Sequence, residues 1–117
     1  MKHLLLTTIA AVVLVGCGLS EADRALLDAA EKGNIEAVKQ HLAAGADVNA
    51  MGRGTPLHYA AYGGHKEVAE LLIAEGADVN ETNGSGETPL DYAKTETANL
   101  LRKHGGKTGE ELKAEGN

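Results

Sequence analysis

Catalysis and metal binding need particular side chains at particular spacings, and few are available here. The 117 residues include five histidines, one cysteine and two serines. No two of His3, His41, His58, His65 and His104 stand four apart and there is no HExxH, so the helical zinc pattern is missing. Neither Ser20 nor Ser85 sits in a nucleophile elbow. No P-loop or GxGxxG occurs; Gly52-Arg53-Gly54 and Gly84-Ser85-Gly86 read as turns. Asp47 and Asp78 do not form a carboxylate pair for acid–base work. Cys17 stands alone, which excludes a disulfide framework and a zinc–cysteine site. The expectation is no enzyme activity, no cofactor, no metal and no small-molecule substrate.

Composition narrows the classes further. Seventeen acidic residues against eleven basic ones give a formal net charge of −6. Non-specific nucleic-acid binding runs on Lys and Arg displacing phosphate counterions, so nucleic acid is not an expected partner. With three Tyr and no Phe or Trp, base-stacking platforms and large aromatic pockets are not expected either. The length fits one small domain.

Residues 1–17 differ from the rest. Lys2 and His3 are followed by twelve uncharged residues, Leu4 to Val15. A membrane-spanning helix needs about 20 apolar residues, so the run is short for a span and fits a secretory signal peptide. It ends Leu14-Val15-Gly16-Cys17, which resembles a bacterial lipobox. The resemblance implies a signal peptide over 1–16, a lipidated Cys17 as first mature residue, and a location on the periplasmic side of the bacterial cell envelope. Gly18 after the Cys favours the outer membrane. An ordinary signal peptide with an incidental Cys is the plainer alternative. Two or more acyl chains would make the membrane anchor stable. Residues 17–20 then form a tether reaching about 14 Å.

The remainder repeats itself. Gly45-Ala46-Asp47-Val48-Asn49 returns as Gly76-Ala77-Asp78-Val79-Asn80, and Thr55-Pro56-Leu57 as Thr88-Pro89-Leu90. Tyr59-Ala60 returns as Tyr92-Ala93. Each unit reads as two short antiparallel helices. Thr55 is an N-cap with Pro56 in the first helical position, and Gly63-Gly64 stops that helix. A second helix from Lys66 to Ala74 carries Val68, Leu71 and Leu72 on one face. Only four Val and two Ile follow Cys17, which disfavours a β-sandwich or barrel.

These motifs closely resemble the ankyrin repeat family, best over Thr55 to Asn80. The resemblance implies an all-α solenoid of about three helix–turn–helix units over 21–107 (about 21–50, 51–83 and 84–107). Residues 108–117 read as a polar tail, either frayed or with one helical turn from Thr108 to Ala114 that lays Leu112 over the last repeat. The first unit lacks the TPLH signature and opens with Ser20 and Asp23, a variant capping box, so it reads as an N-terminal cap. Its Gln40 and His41 replace the Leu pair. In the third unit Asp91 replaces the TPLH histidine and about four residues are missing before Leu100, so both its helices should be short. The resemblance also assigns structural roles to Thr55, Pro56, Leu57 and His58, and to Thr88, Pro89 and Leu90. His58 would tie adjacent repeats, Asp47 and Asp78 would make local turn bonds, and His65 would cap its helix.

What is left is a surface. The family binds protein partners on the concave face made by fingers and first helices. On this sequence that face maps to Met51 and Arg53 in the first finger, Thr82, Gly84, Ser85 and Glu87 in the second, and Glu31, Lys32, Tyr59, Tyr62, Gly63 and Lys94 from the first helices. Tyrosine gives large contact area at low entropy cost, so Tyr59 and Tyr62 are the anchors; Tyr62 could equally just cover a neighbouring helix. The expected function is a monomeric, membrane-anchored interaction module for an unidentified protein partner. An accessory or inhibitory subunit of an envelope enzyme is the alternative.

Overall fold

The computed structural model describes residues 18–116. The expected signal peptide and Cys17 lie outside the described residues. The helices are α1 (Glu21–Lys32), α2 (Ile35–Ala43), α3 (Pro56–Gly63), α4 (Lys66–Ala74), α5 (Pro89–Tyr92), α6 (Thr95–Lys103) and α7 (Gly109–Gly116), with no strand among the described residues. They pair as α1/α2, α3/α4 and α5/α6. The first helices α1, α3 and α5 pack in one row and the second helices α2, α4 and α6 in another.

Local chemistry explains each helix start. Ser20 accepts from the Asp23 N–H at 3.0 Å while the Asp23 carboxylate accepts from the Ser20 N–H at 3.2 Å, a closed capping box. Asn34 accepts from the Ala37 N–H at 3.1 Å. Thr55 caps α3, with Pro56 where a missing N–H costs nothing. Gly33 and Gly64 end α1 and α3 in the left-handed conformation that glycine adopts without strain.

A helix pair this short cannot bury its apolar face alone, so the units must stack. Leu26, Leu57, Leu72, Leu101, Val38 and Val68 fill one continuous core. Ala29, Ala30, Ala60 and Ala61 are buried where α1 and α3 meet, and small side chains there let the helices approach closely. On α2 Gln40 is exposed and His41 half-buried where α4 offers Leu71 and buried Leu72, so the first unit presents the more polar face.

Polar side chains fix the stacking register. Asn49 accepts from the Asp78 N–H at 2.9 Å and donates to the Gly76 carbonyl at 3.3 Å. Asn80 repeats this one unit on, with the Lys107 N–H at 2.7 Å and the Gly105 carbonyl at 3.1 Å. Asp23 stands in for the missing preceding Asn by accepting from the Asp47 N–H at 2.9 Å. Asp47 and Asp78 make the expected turn bonds, to the Asn49 and Asn80 N–H at 2.9 Å each.

Three expectations change. Only the first helix of the third unit is short: α5 has four residues, whereas α6 has nine, like α2 and α4. The deletion removes the end of α5 and the turn after it; Ala93 and Lys94 are extended. His65 stands at the head of α4 but makes no capping bond. Its ring lies in a slot between Gly33 and Gly63, where a Cβ would come within 2.4 Å and 2.5 Å of it, and its Nε2 donates to the Glu31 carbonyl at 2.9 Å. The bare glycines make room for a bond to the neighbouring unit instead.

The third change is at the C-terminus, where the single turn expected as one alternative is a docked helix of eight residues. Thr108 and Glu111 form a further capping box: the Glu111 N–H reaches the Thr108 hydroxyl at 3.1 Å and the Thr108 N–H reaches the Glu111 carboxylate at 2.9 Å. Arg102 grips Glu111 in a bidentate pair at 2.7 and 3.2 Å, and Lys107 pairs with Glu115. Leu112 is half-buried. Asp91 accepts from the Gly109 N–H at 2.8 Å and from the Thr88 N–H at 2.8 Å.

The hydrogen bond from Arg102 holds Glu111 down to about 2, against 4.5 for a free glutamate. Its proton affinity is lower in the folded state, so docking of α7 is fully supported above pH 4.5 and is lost as pH falls towards about 2. At neutral pH, Arg102→Ala is expected to speed amide exchange across Gly109–Gly116 while moving the melting temperature by less than about 3 °C, since exposed ion pairs contribute little. Hydrogen-exchange mass spectrometry and calorimetry check the two halves.

Candidate functional site

A groove of about 530 Å³ opens along the first helices. The end of α1, the two fingers and the helices α3 and α5 shape it. α1 contributes Glu31 at its C-terminal end; the first finger contributes Arg53 and Gly54. α3 presents His58 and Tyr59 from one turn and Tyr62 from the next, and Asn83 and Tyr92 close the far side from the second finger and α5. The first finger is held against α1 because Gly52 is closely approached: a Cβ there would lie 3.0 Å from Leu27 Cδ1 and 3.6 Å from Leu19 Cδ1.

His58 is the floor of the groove. It is 2 % exposed and both ring nitrogens are used. Nδ1 accepts from the Thr55 N–H at 3.0 Å, which leaves the proton on Nε2, and Nε2–H donates to the Glu87 carbonyl at 2.8 Å. One neutral imidazole therefore caps its own helix and grips the next finger. Burial lowers its pKa from 6.5, outweighing the Glu87 carbonyl bond and the charges of Asp91 and Glu87, which push it up. Gly54 is glycine because the His58 side chain lies against it; a Cβ there would sit 2.9 Å from the His58 Cβ.

The aromatic wall is a chain of edge-to-face rings. His58 and Tyr92 centroids are 5.9 Å apart at 69°, and Tyr62 and Tyr92 are 6.2 Å apart at 76°. Asn83 builds the second finger by accepting from the Ser85 N–H at 2.9 Å and the Glu87 N–H at 3.0 Å, and its amide donates to the Tyr92 hydroxyl at 3.0 Å. That hydroxyl donates in turn to the Glu87 carboxylate, which raises the Tyr92 pKa above 10.0. Tyr92 is thus fixed, whereas Tyr62 is 66 % exposed and its hydroxyl has no protein partner among the described residues.

Of the residues expected on the face, the groove brings together Glu31, Arg53, Tyr59 and Tyr62. Met51, Thr82, Ser85 and Lys94 are exposed but outside its lining. Glu87 is half-buried and turned onto Tyr92, so its carboxylate serves the finger. Sequence reasoning did not place Tyr92, Asn83 or His58 in the lining. Tyr92 carried a signal, because it repeats Tyr59 thirty-three residues on. The few aromatics also proved misleading as a count: all three tyrosines of the chain line this one groove.

Among the described residues no group of His, Cys, Asp and Glu is arranged to hold a metal, and no helix is long and apolar enough to cross a membrane. A family model described as ankyrin repeats (3 copies) matches residues 26–111. The ARF GTPase-activating protein Git of Drosophila melanogaster is 37% identical over 89 residues, 74% of this chain and 12% of that protein. Human protein phosphatase 1 regulatory subunit 27 is 36% identical over 86 residues, 72% of this chain and 56% of that protein. An ankyrin repeat protein of Rickettsia bellii is 42% identical over 86 residues, 63% of this chain and 51% of that protein. The chain therefore spans between about an eighth and about half of the length of these relatives.

His58 gives the fold a pH dependence of defined sign. Its folded pKa lies below 6.5, so the unfolded chain binds the extra proton first. The contribution is present above pH 6.5 and declines as pH falls below it. His58→Ala leaves the Thr55 N–H and the Glu87 carbonyl without this partner and is expected to cost roughly 2–4 kcal/mol, with the decline below pH 6.5 flattened. Urea unfolding at several pH values measures both effects.

Proposed function

The chain belongs to the ankyrin repeat family, and from that premise we propose that it is a non-enzymatic protein-interaction module, lipid-anchored through Cys17 in the bacterial cell envelope. The ankyrin fold is typically a non-enzymatic interaction module, and its repeats indicate a protein partner. The observation that carries the reading here is the convergence of all three tyrosines with Arg53 on one groove. A rigid aromatic wall beside a guanidinium is what a protein interface uses for its anchors. The patch is small, so a single contact is weak and membrane confinement of both partners raises its effective concentration.

The anchoring half rests on the sequence before the repeats: a basic start, an uncharged run from Leu4 to Val15, and Gly16-Cys17. The tether is shorter than the sequence alone suggests. Ser20 already caps α1 and Leu19 is half-buried against the first finger, so Gly18 alone links Cys17 to the packed fold. The module then lies close to the bilayer, on the periplasmic side, with the outer membrane favoured by Gly18, and acts as a monomer.

Mass spectrometry of the mature chain is expected to find residues 1–16 removed and a diacylglyceryl-linked, N-acylated Cys17; a chain still starting at Met1 with a free thiol refutes the anchor. Photo-crosslinking from position 62 in cells is expected to capture a protein at the membrane, and Arg53→Ala to reduce that capture about threefold or more. Capture unchanged by Arg53→Ala and by Tyr59→Ala would place the partner elsewhere.

A further inference from the structure

The groove carries two opposite charges that the fold itself leaves unused. Glu31 and Arg53 both line it, and among the described residues neither carboxylate nor guanidinium takes part in an ion pair or a side-chain hydrogen bond. Glu31 is nonetheless well placed, because its own carbonyl is held by His65 Nε2 at 2.9 Å, which pins the end of α1 beside the groove. Tyr62 stands 66 % exposed, edge-to-face with Tyr92. A tyrosine face attracts a cation through its quadrupole, and a nearby carboxylate adds to that attraction. The chain as a whole carries −6, which draws cationic groups towards it and repels phosphates.

We propose that the groove takes an extended segment of a partner protein that carries a lysine or arginine side chain, seated against the Tyr62 ring and directed at Glu31, with a neighbouring acidic group of the same segment meeting Arg53. The proposal rests on the groove being the partner surface and adds the chemistry of what fills it. An apolar segment would bury Glu31 and Arg53 without partners, which is costly. A segment with only acidic groups would meet Arg53 but be repelled by Glu31 and by the net charge. The paired arrangement satisfies both ends and uses the ring between them.

The chain supplies its own reporter. Its emission comes from tyrosine alone, since it has no Trp or Phe, and all three tyrosines line the groove. The full-length chain is titrated with short N-acetylated, C-amidated peptides of glycine and serine that carry a Lys and a Glu, a Lys only, a Glu only, or neither. The Lys–Glu peptide is expected to change tyrosine emission saturably, the Lys-only peptide to bind more weakly, and the other two to give no saturable change. Glu31→Gln and Tyr62→Leu are each expected to weaken the Lys–Glu peptide about fivefold, and raised salt to weaken it further. Because both side chains are exposed and unbonded, an unchanged melting temperature separates this from misfolding. Equal responses to peptides with and without Lys, no saturable response to any peptide, or indifference to Glu31→Gln would each overturn the proposal. Protein capture from position 62 in cells, alongside such a result, leaves the groove as a partner surface of different chemistry; loss of capture as well removes both.

Discussion

The structure depends on side chains that reach across from one unit to hydrogen-bond the backbone of the next. Apolar contact alone holds helix pairs together without fixing how far one slides past another, because burial is not directional. Asn49, His58 and Asn80 supply the direction, each with a donor and an acceptor engaged. His58 matters most for function, since the same imidazole that sets the register also supports the ring of Tyr92 and forms the base of the groove.

The two ends solve the same problem with different chemistry. At the N-terminus no preceding Asn exists, and Asp23 takes over its acceptor role while also closing the cap on α1. In the third unit Asp91 stands in the histidine position and accepts an N–H from the start of α7. Replacing a donor by an acceptor matches the reversal of the group it meets. The edge is then covered by α7, held by ion pairs to Arg102 and Lys107 and by one half-buried leucine.

Much of this was legible in the residues. Thr55-Pro56, Gly63-Gly64 and the apolar face of Val68, Leu71 and Leu72 dictate a helix pair by local rules, and those rules held. The capping box at Ser20 and Asp23 was equally readable. Thr108 and Glu111 stand at the same spacing; the residues there pointed to one helical turn under Leu112 or a frayed tail, and the glycine-rich, charged stretch gave no sign that the helix would run eight residues. His65 was misread because a helix-first residue suggests a cap, whereas its ring goes to a slot that exists only once Gly33 and Gly63 are neighbours in space. The groove divides the same way. Glu31, Arg53, Tyr59 and Tyr62 follow from position in the repeat; Asn83 and Tyr92 depend on finger conformation and stacking, which no single unit specifies.

The central claim is that a neutral His58, protonated on Nε2, bridges α3 to the second finger and so sets the groove. Nitrogen-15 chemical shifts of the imidazole, read through long-range proton couplings, report tautomer and charge directly. The account predicts a neutral ring at pH 7 with a bonded proton on Nε2 and a bare Nδ1. A proton on Nδ1, or an imidazolium at that pH, would contradict it.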